Sequence, residues 1–283
     1  ERVKKLLSSE GVELTEAPQG EVPDQTRLER ASLALWLLQS DTTNPTYDDV
    51  MSWGASQGGT TFADTERLLA SAIDTEDLTS VLHDIEYPLI PILHEMSERG
   101  VLIDVPYLQG LSKTMHAERA KLEKAIHTAA GMEFNINSPK QLGDVLYDTL
   151  GLKPKNQKRT ATGQRSTRES ELEKLVDEHK IVKDILRYRE LGKLLGTYID
   201  TIPTLVKEDG RLHSTFLQAG SVTGRMASKD PGIQNIPIRT DEGRAIRRAF
   251  VAENGFTLVS IDYSQIELRI AAILSHDEKM IEI

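Results

Sequence analysis

Residues 257–280 read TLVSIDYSQIELRIAAILSHDEKM. The short apolar run Thr257–Asp262 predicts a buried strand, and Ser264–Ser275 has the apolar spacing of a helix. Asp262 then stands at the strand-to-helix junction. An exposed carboxylate there is a common ligand for a hard cation such as Mg²⁺, which bridges carboxylate oxygens to phosphates. An aspartate in that place serves equally well as a helix N-cap. The local pattern does not choose, so the rest of the chain must.

The chain has 283 residues, which favours two domains over one, and 39% of them are hydrophobic, enough for a real core. There is no cysteine, so disulfides and thiolate zinc sites are excluded and a reducing compartment is expected. No apolar run approaches the ~18 residues of a membrane span, and no signal peptide is apparent. The first residue is Glu1 rather than Met, so an excerpt of a longer chain is expected. The net charge of −10 is unevenly spread. Residues 1–90 carry 6 Lys/Arg against 17 Asp/Glu, whereas residues 91–283 carry 28 against 27. Residues 153–168 hold six basic residues and no acid, and residues 211–251 hold seven basic against three acidic. Bulk charge therefore does not exclude a polyanionic partner, which needs only a local patch.

Along the chain, residues 27–39 and 46–55 predict helices, and residues 56–65 (SQGGTTFADT) a loop. A long helical stretch is expected from near Asp74, interrupted at Pro88 and Pro91 and ended by Gly100. Residues 105–130 predict another helix. Ser138, Pro139 and Gln141 form a capping-box signature, and Gly151 stops the helix that follows. Ser166 with Glu169 predicts the next helix start, and helices continue to about Leu205. Residues 211–219 alternate like a strand, and residues 221–240 read as irregular loop.

The motif DYSQIELR (Asp262–Arg269), followed by an apolar helix, resembles motif A of family A DNA polymerases. The whole of residues 210–269 resembles that family's palm. NINSPKQLGDVLYDTLGL (135–152) is similar to the start of its thumb, ILRYRELGKLLGTYID (185–200) to the thumb's exit helix, and PILHEMSERGVLID (91–104) to the approach to the polymerase region. The resemblance covers about residues 85–283. Residues 1–85 resemble only loosely the end of an exonuclease-type domain.

This resemblance implies an α/β (α+β) multidomain fold. Residues 1–85 would be a C-terminal remnant of an exonuclease-like domain, 86–208 the approach helix and a mostly helical thumb, and 209–283 the start of a mixed-sheet palm, truncated before the fingers. It also implies roles. Asp262 matches the carboxylate that bridges two Mg²⁺ ions, and Tyr263 the residue that lends a backbone carbonyl to one of them. Glu267 matches the residue beneath the incoming sugar, which excludes a 2′-hydroxyl. Gln265, Ile266 and Arg239 fall at the nucleotide site. Arg225 matches an arginine that reaches the minor groove near the primer terminus, where acceptors common to all correct pairs are found. Gln234 and Asn235 match contacts to the primer–template. Lys153, Lys155, Lys158, Arg159, Arg165 and Arg168 would hold phosphates at the thumb tip, although a solvated surface loop has the same composition. Gly232 departs from the family's usual asparagine and puts one DNA contact in doubt.

Three acidic groups mimic catalytic motifs. His276-Asp277-Glu278 spells the family's motif C, but that motif belongs on a hairpin further downstream; here the residues read as a solvated continuation of the preceding helix. Asp64-Thr65-Glu66 and Asp74-Thr75-Glu76 mimic a proofreading exonuclease motif, but read as solvated acids without the rest of such a domain. The expected function is therefore template-directed addition of dNTPs to a primer 3′-hydroxyl with two Mg²⁺ ions, in a DNA-directed DNA polymerase of the cytoplasm and nucleoid. Primer–template DNA, dNTPs and the missing fingers and C-terminal palm are the implied partners. The piece alone is expected to be inactive. A non-catalytic DNA-binding module or one half of a split polymerase is the alternative. A single-subunit RNA polymerase is disfavoured by Glu267, because that position must then admit a ribose.

Overall fold

The computed structural model describes residues 23–153, 163 and 165–282. The fold is α+β: mostly helical, with two small antiparallel sheets. Three hydrophobic cores follow one another along it.

The first core belongs to an N-terminal helical unit. Helix α1 (Gln25–Leu38) starts at the Asp24 N-cap and buries Leu35 and Trp36. Helix α2 (Tyr47–Ser56) and helix α3 (Phe62–Thr75) each begin with a complete capping box, Thr46 with Asp49 and Thr61 with Asp64. Helix α3 thus starts inside the stretch expected to be loop. Its signature, a Thr followed three residues later by an acid, is present in that stretch. Asp64 is consequently a structural cap. Hydrogen bonds from the hydroxyls of Thr61 and Thr60 hold its carboxyl down at about 2.

The expected break at Pro88 and Pro91 does not occur. One wide turn, Val81–Glu86, leads directly into α4 (Tyr87–Arg99). Pro88 falls in the first turn of α4, where its missing N–H costs little, and both prolines are exposed. The expected domain boundary at 85/86 lies within this run. Gly100 ends α4 at φ 61°, and a Cβ there would sit 2.8 Å from the Leu212 carbonyl. Only glycine allows this helix to turn straight into a strand.

Strand β1 (Val101–Ile103) is central in a three-stranded sheet, pairing antiparallel with β2 (Arg211–Leu212) and with β5 (Phe250–Val251). Helix α5 (Val105–Ala130) matches its expected bounds and extends about 39 Å at 1.5 Å per residue. It joins two cores. Leu108 and Met115 pack near the sheet against Leu191, Ile199 and Ile246, whereas Ile126 and Ala130 pack at the far end.

That far core also holds α6 (Pro139–Gly143) with the wide turn Asp144–Thr149, α7 (Glu169–Leu172) and much of α8 (Lys180–Leu194). Ser138 caps α6 as expected, but the reciprocal half of the box is diverted: Gln141 Oε1 accepts from the Asn135 N–H at 2.7 Å. The next start is also shifted. Arg168, not Ser166, precedes α7, and the Ser166 hydroxyl instead accepts from the Arg168 N–H. Helix α8 passes through the wide turn Leu195–Ile199 to the short α9 (Ile202–Leu205).

The expected strand at 211–219 is split. Beyond β2, the segment β3 (Thr215–Leu217) forms a separate hairpin with β4 (Ala227–Lys229). A 3₁₀ turn (Ile233–Asn235) and helix α10 (Asp241–Arg247) then lead to β5.

The expected buried strand at 257–262 is overturned. These residues form no strand and pair with none among the described residues. Ile261 is 92% exposed, and Leu258, Val259 and Phe256 are also on the surface. The apolar pattern is that of a buried strand, but a strand needs neighbours on its edges and faces, and the described residues supply none. Helix α11 (Ile266–Ser275) follows as expected. His276 adopts a left-handed conformation (φ 52°) and ends it, so His276–Glu278 do not continue that helix but lead into the short, exposed α12 (Glu278–Glu282).

Candidate functional site

The residues singled out around motif A cluster on and beside the start of α11. Asp262, Tyr263, Gln265, Ile266 and Glu267 are all exposed. Asp262 caps nothing: α11 begins four residues later, and Gln265 (φ 56°) occupies the N-cap position without a side-chain cap. The turn is held from below instead, by Arg269, whose Nε donates to the Ser264 carbonyl at 2.9 Å. The Asp262 carboxylate is thus exposed and caps no helix, so the cap reading is removed and the carboxylate is open to solvent or a ligand.

The tertiary structure brings Glu267 to Arg225. Arg225 Nη2 lies 2.8 Å from Glu267 Oε1, although 42 residues separate them. Arg225 sits on the loop between β3 and β4. Gln234, on the 3₁₀ turn, donates through Nε2 to the Met226 carbonyl at 3.1 Å, so it borders the same loop.

Asn235 and Arg239 bound a segment whose carbonyls are all taken. Tyr198 Oη donates to the Asn235 carbonyl at 2.6 Å. Arg247 donates to Ile236 (2.9 Å) and Pro237 (3.2 Å). Arg244 donates to Ile238 (3.4 Å) and Arg239 (3.0 Å). Five consecutive carbonyls are thus tied to α10 and to the turn that follows α8, while the side chains of Asn235 and Arg239 stay exposed. Tyr198, Arg244 and Arg247 were not singled out in the sequence. The signal available was the pair of arginines three apart on one face of α10, where i and i+3 are neighbours.

These bonds also redistribute the basic patch at 211–251. Arg211 pairs with Glu253 and Arg225 with Glu267, while Arg244 and Arg247 are spent on backbone carbonyls, Arg244 also pairing with Asp241. Lys229, Arg239 and Arg248 make no ion pair among the described residues.

At the other end of α5, Lys153 and Arg168 are exposed. Arg165 is engaged: it pairs with Asp148 and lies over the Tyr147 ring, 5.0 Å from its centroid. Lys155, Lys158 and Arg159 lie outside the described residues. The described basic residues of 153–168 thus lie beside the far core, apart from those beside motif A.

Hard oxygen donors suit Mg²⁺, and Asp262 with the adjacent Tyr263 carbonyl is such a set. The set is short for two ions: among the described residues no three His, Cys, Asp or Glu side chains gather into a metal site. Nor is any helix among them long and apolar enough to cross a membrane.

Known proteins are similar to this chain in sequence and fold. The family model for DNA polymerase family A matches residues 105–283. The thermostable DNA polymerase I of Thermus thermophilus is 51% identical over 209 residues, covering 74% of this chain and 25% of that protein. DNA polymerase I of Deinococcus radiodurans is 52% identical over 198 residues, covering 70% of this chain and 21% of that protein. Among solved structures, the POL domain of Pol1 from M. smegmatis, in complex with DNA primer–template and dNTP, superposes with a TM-score of 0.77 at 33% identity. That superposition covers 89% of this chain and 46% of that one. The chain therefore spans about a quarter of the length of these curated relatives, and over that span it belongs to DNA polymerase family A.

Proposed function

We propose that this chain is the thumb and the first part of the palm of an enzyme that adds dNTPs to a primer 3′-hydroxyl under the direction of a template. In this reading residues 1–85 are the end of an exonuclease-like domain, 86–208 the approach helix and thumb, and 209–283 the palm through motif A. The observation that carries it is the meeting of Arg225 with Glu267, five residues past Asp262, because the motif resemblance would give these three the primer-end, sugar and metal roles. Asp262 and the Tyr263 carbonyl would hold Mg²⁺, which when bound supplies charge stabilisation to the transferring phosphate. Glu267 would lie beneath the sugar and leave no room for a 2′-oxygen, with Gln265 and Ile266 beside it. Arg225 would reach the minor groove at the primer end, with Gln234 and Asn235 on the primer–template and Arg239 toward the triphosphate. Lys153, Lys155, Lys158, Arg159 and Arg168 would hold duplex phosphates at the thumb tip. Arg165, paired with Asp148, would contribute less there.

A second reading, half of a polymerase that needs further polypeptide, is favoured by one observation. Phe256, Leu258, Val259, Ile261, Ile273 and Leu274 form an exposed apolar surface around motif A, far more than a finished core leaves uncovered. Primer extension with Mg²⁺ and all four dNTPs tests both readings. The chain alone should not extend, since it offers one of the two carboxylates that two-metal transfer needs. Extension should appear when the fingers and remaining palm are supplied, and should vanish with Asp262→Ala while primer–template binding persists. Extension by the pure chain would overturn the assignment of Asp262 as one half of the pair.

A further inference from the structure

We infer that the N-terminal helical unit sets the position of Arg225, with Trp36 and Ser221 as the positioning residues. This rests on the reading of Arg225 as the primer-end contact.

Trp36 is 3% exposed, inside the core of α1–α3. A buried indole N–H must find an acceptor. The acceptor is the Ser221 carbonyl, 3.0 Å away and 185 residues further along the chain. The segment leading to Ser221 is pinned to the same unit. Ala219 is buried in the N-terminal core, and its carbonyl accepts from the Asn44 N–H at 2.9 Å. Gln218 Nε2 donates to the Glu86 carbonyl at 2.8 Å. At Gly220 a Cβ would fall 2.5 Å from that of Ala227, so the hairpin closes directly on the backbone.

Beyond Ser221 the loop is exposed, and Gly224 takes a left-handed φ of 77°. One bond gives it shape. Ser221 Oγ donates to the Arg225 carbonyl at 2.8 Å, and the Thr223 hydroxyl, 3.1 Å from Ser221 Oγ, can donate to Ser221 Oγ. From Arg225 the relay continues to Glu267 at 2.8 Å. A buried tryptophan of one unit is therefore linked by three consecutive hydrogen bonds to the glutamate of motif A in another. Ordering an exposed arginine on a glycine-containing loop costs entropy when a ligand binds. Fixing Ser221 from below and Arg225 from Ser221 removes part of that cost before the ligand arrives. An anchor that only stabilised the hairpin would not require the hydroxyl that closes the loop around Arg225.

The test is fluorescence anisotropy of the whole chain with two labelled DNAs, a recessed primer–template and a continuous duplex of the same length and sequence. The readout is the ratio of the two affinities. The parent chain should prefer the primer end, and Arg225→Ala should abolish the preference. Ser221→Ala should reduce it about 3- to 10-fold, the effect of one lost hydrogen bond, with the helical content of the chain unchanged, and Ser221→Thr should restore it. Trp36 replaced by benzothienylalanine, which keeps the bicyclic shape and removes the N–H, should reduce it likewise. If Arg225→Ala loses the preference while Ser221→Ala or the Trp36 replacement keeps it, the inference is wrong. If the parent shows no preference, or Arg225→Ala retains it, the reading of Arg225 itself fails and the inference falls with it.

Discussion

Arg225 and Glu267 are 76% and 70% exposed on their side chains. A pair so open to solvent contributes at most about 1 kcal/mol to stability. Its interest lies in availability, because either partner can turn to a ligand at little cost. Glu267→Ala should therefore leave the fold intact. In a polymerase completed with its fingers and remaining palm, it should raise kcat/KM for ribonucleotides relative to deoxynucleotides. Steady-state incorporation of the two sugars opposite one template base measures the ratio, and an unchanged ratio would count against Glu267 as the gate. Asp262 shows how a single residue is read. Its neighbours in sequence left ligand and helix cap equally open, and only the observed start of α11 at Ile266 removed the cap.

Between elements, Arg187 has an unusual position. It lies on α8 and bonds Glu118 of α5 (2.9 Å), Glu190 one turn on (3.1 Å) and Glu242 of α10. The long helical hairpin is thereby tied to the helix that holds the 235–239 carbonyls. Burial by itself would lower its guanidinium, but the hydrogen bonds that Arg187 donates to these carboxylates together outweigh burial and hold it above its ordinary range. Glu242 is held below its usual 4.5, chiefly by the Arg187 hydrogen bond. A depressed carboxyl stabilises the fold above its unfolded value and loses that contribution as pH falls through its folded value. Arg187→Met should therefore cost about 1–2 kcal/mol near neutral pH, the range for a partly buried charge network. The gap should narrow as pH drops below 4.5 toward the folded value. Urea denaturation of both proteins from pH 7 to pH 3 measures this, and a gap independent of pH would show that packing, not charge, is lost.

Over the whole chain, charge is segregated along the sequence: residues 1–90 carry 6 Lys/Arg against 17 Asp/Glu, whereas residues 153–168 hold six basic residues and no acid. Binding to duplex DNA should be weak, independent of sequence and salt-sensitive. Each phosphate neutralised contributes roughly −0.9 to the slope of log K against log salt. If about three cations of the 153–168 region engage, the slope should be near −3. Lys158→Ala with Arg159→Ala should flatten it by up to about two units for every sequence tested, whereas Arg225→Ala should lower primer-end affinity with little change in slope. Anisotropy across a salt series distinguishes the two, and a double variant that keeps the parent slope would remove the tip from the interface.

Local physics made much of this chain legible as sequence. The 26-residue helix α5, the Ser138 cap, the Gly100 stop and the helix after motif A each depend on neighbours within a turn or two, and each stands where the residues put it. The long motifs around Asp262 pointed to the family for the same reason, since a contiguous pattern is carried by the chain itself. What the residues in order could not supply were partners distant along the chain. The apolar run at 257–262 has the composition of a strand, yet a strand exists only when another pairs with it. The basic residues of 211–251 read as one local positive patch, yet Arg244 and Arg247 bond carbonyls that folding brings beside them. Arg225 met Glu267, and Trp36 met Ser221, only because the hairpin folds back between the N-terminal helices and motif A; hydrogen bonds spanning 42 and 185 residues leave no periodicity to read.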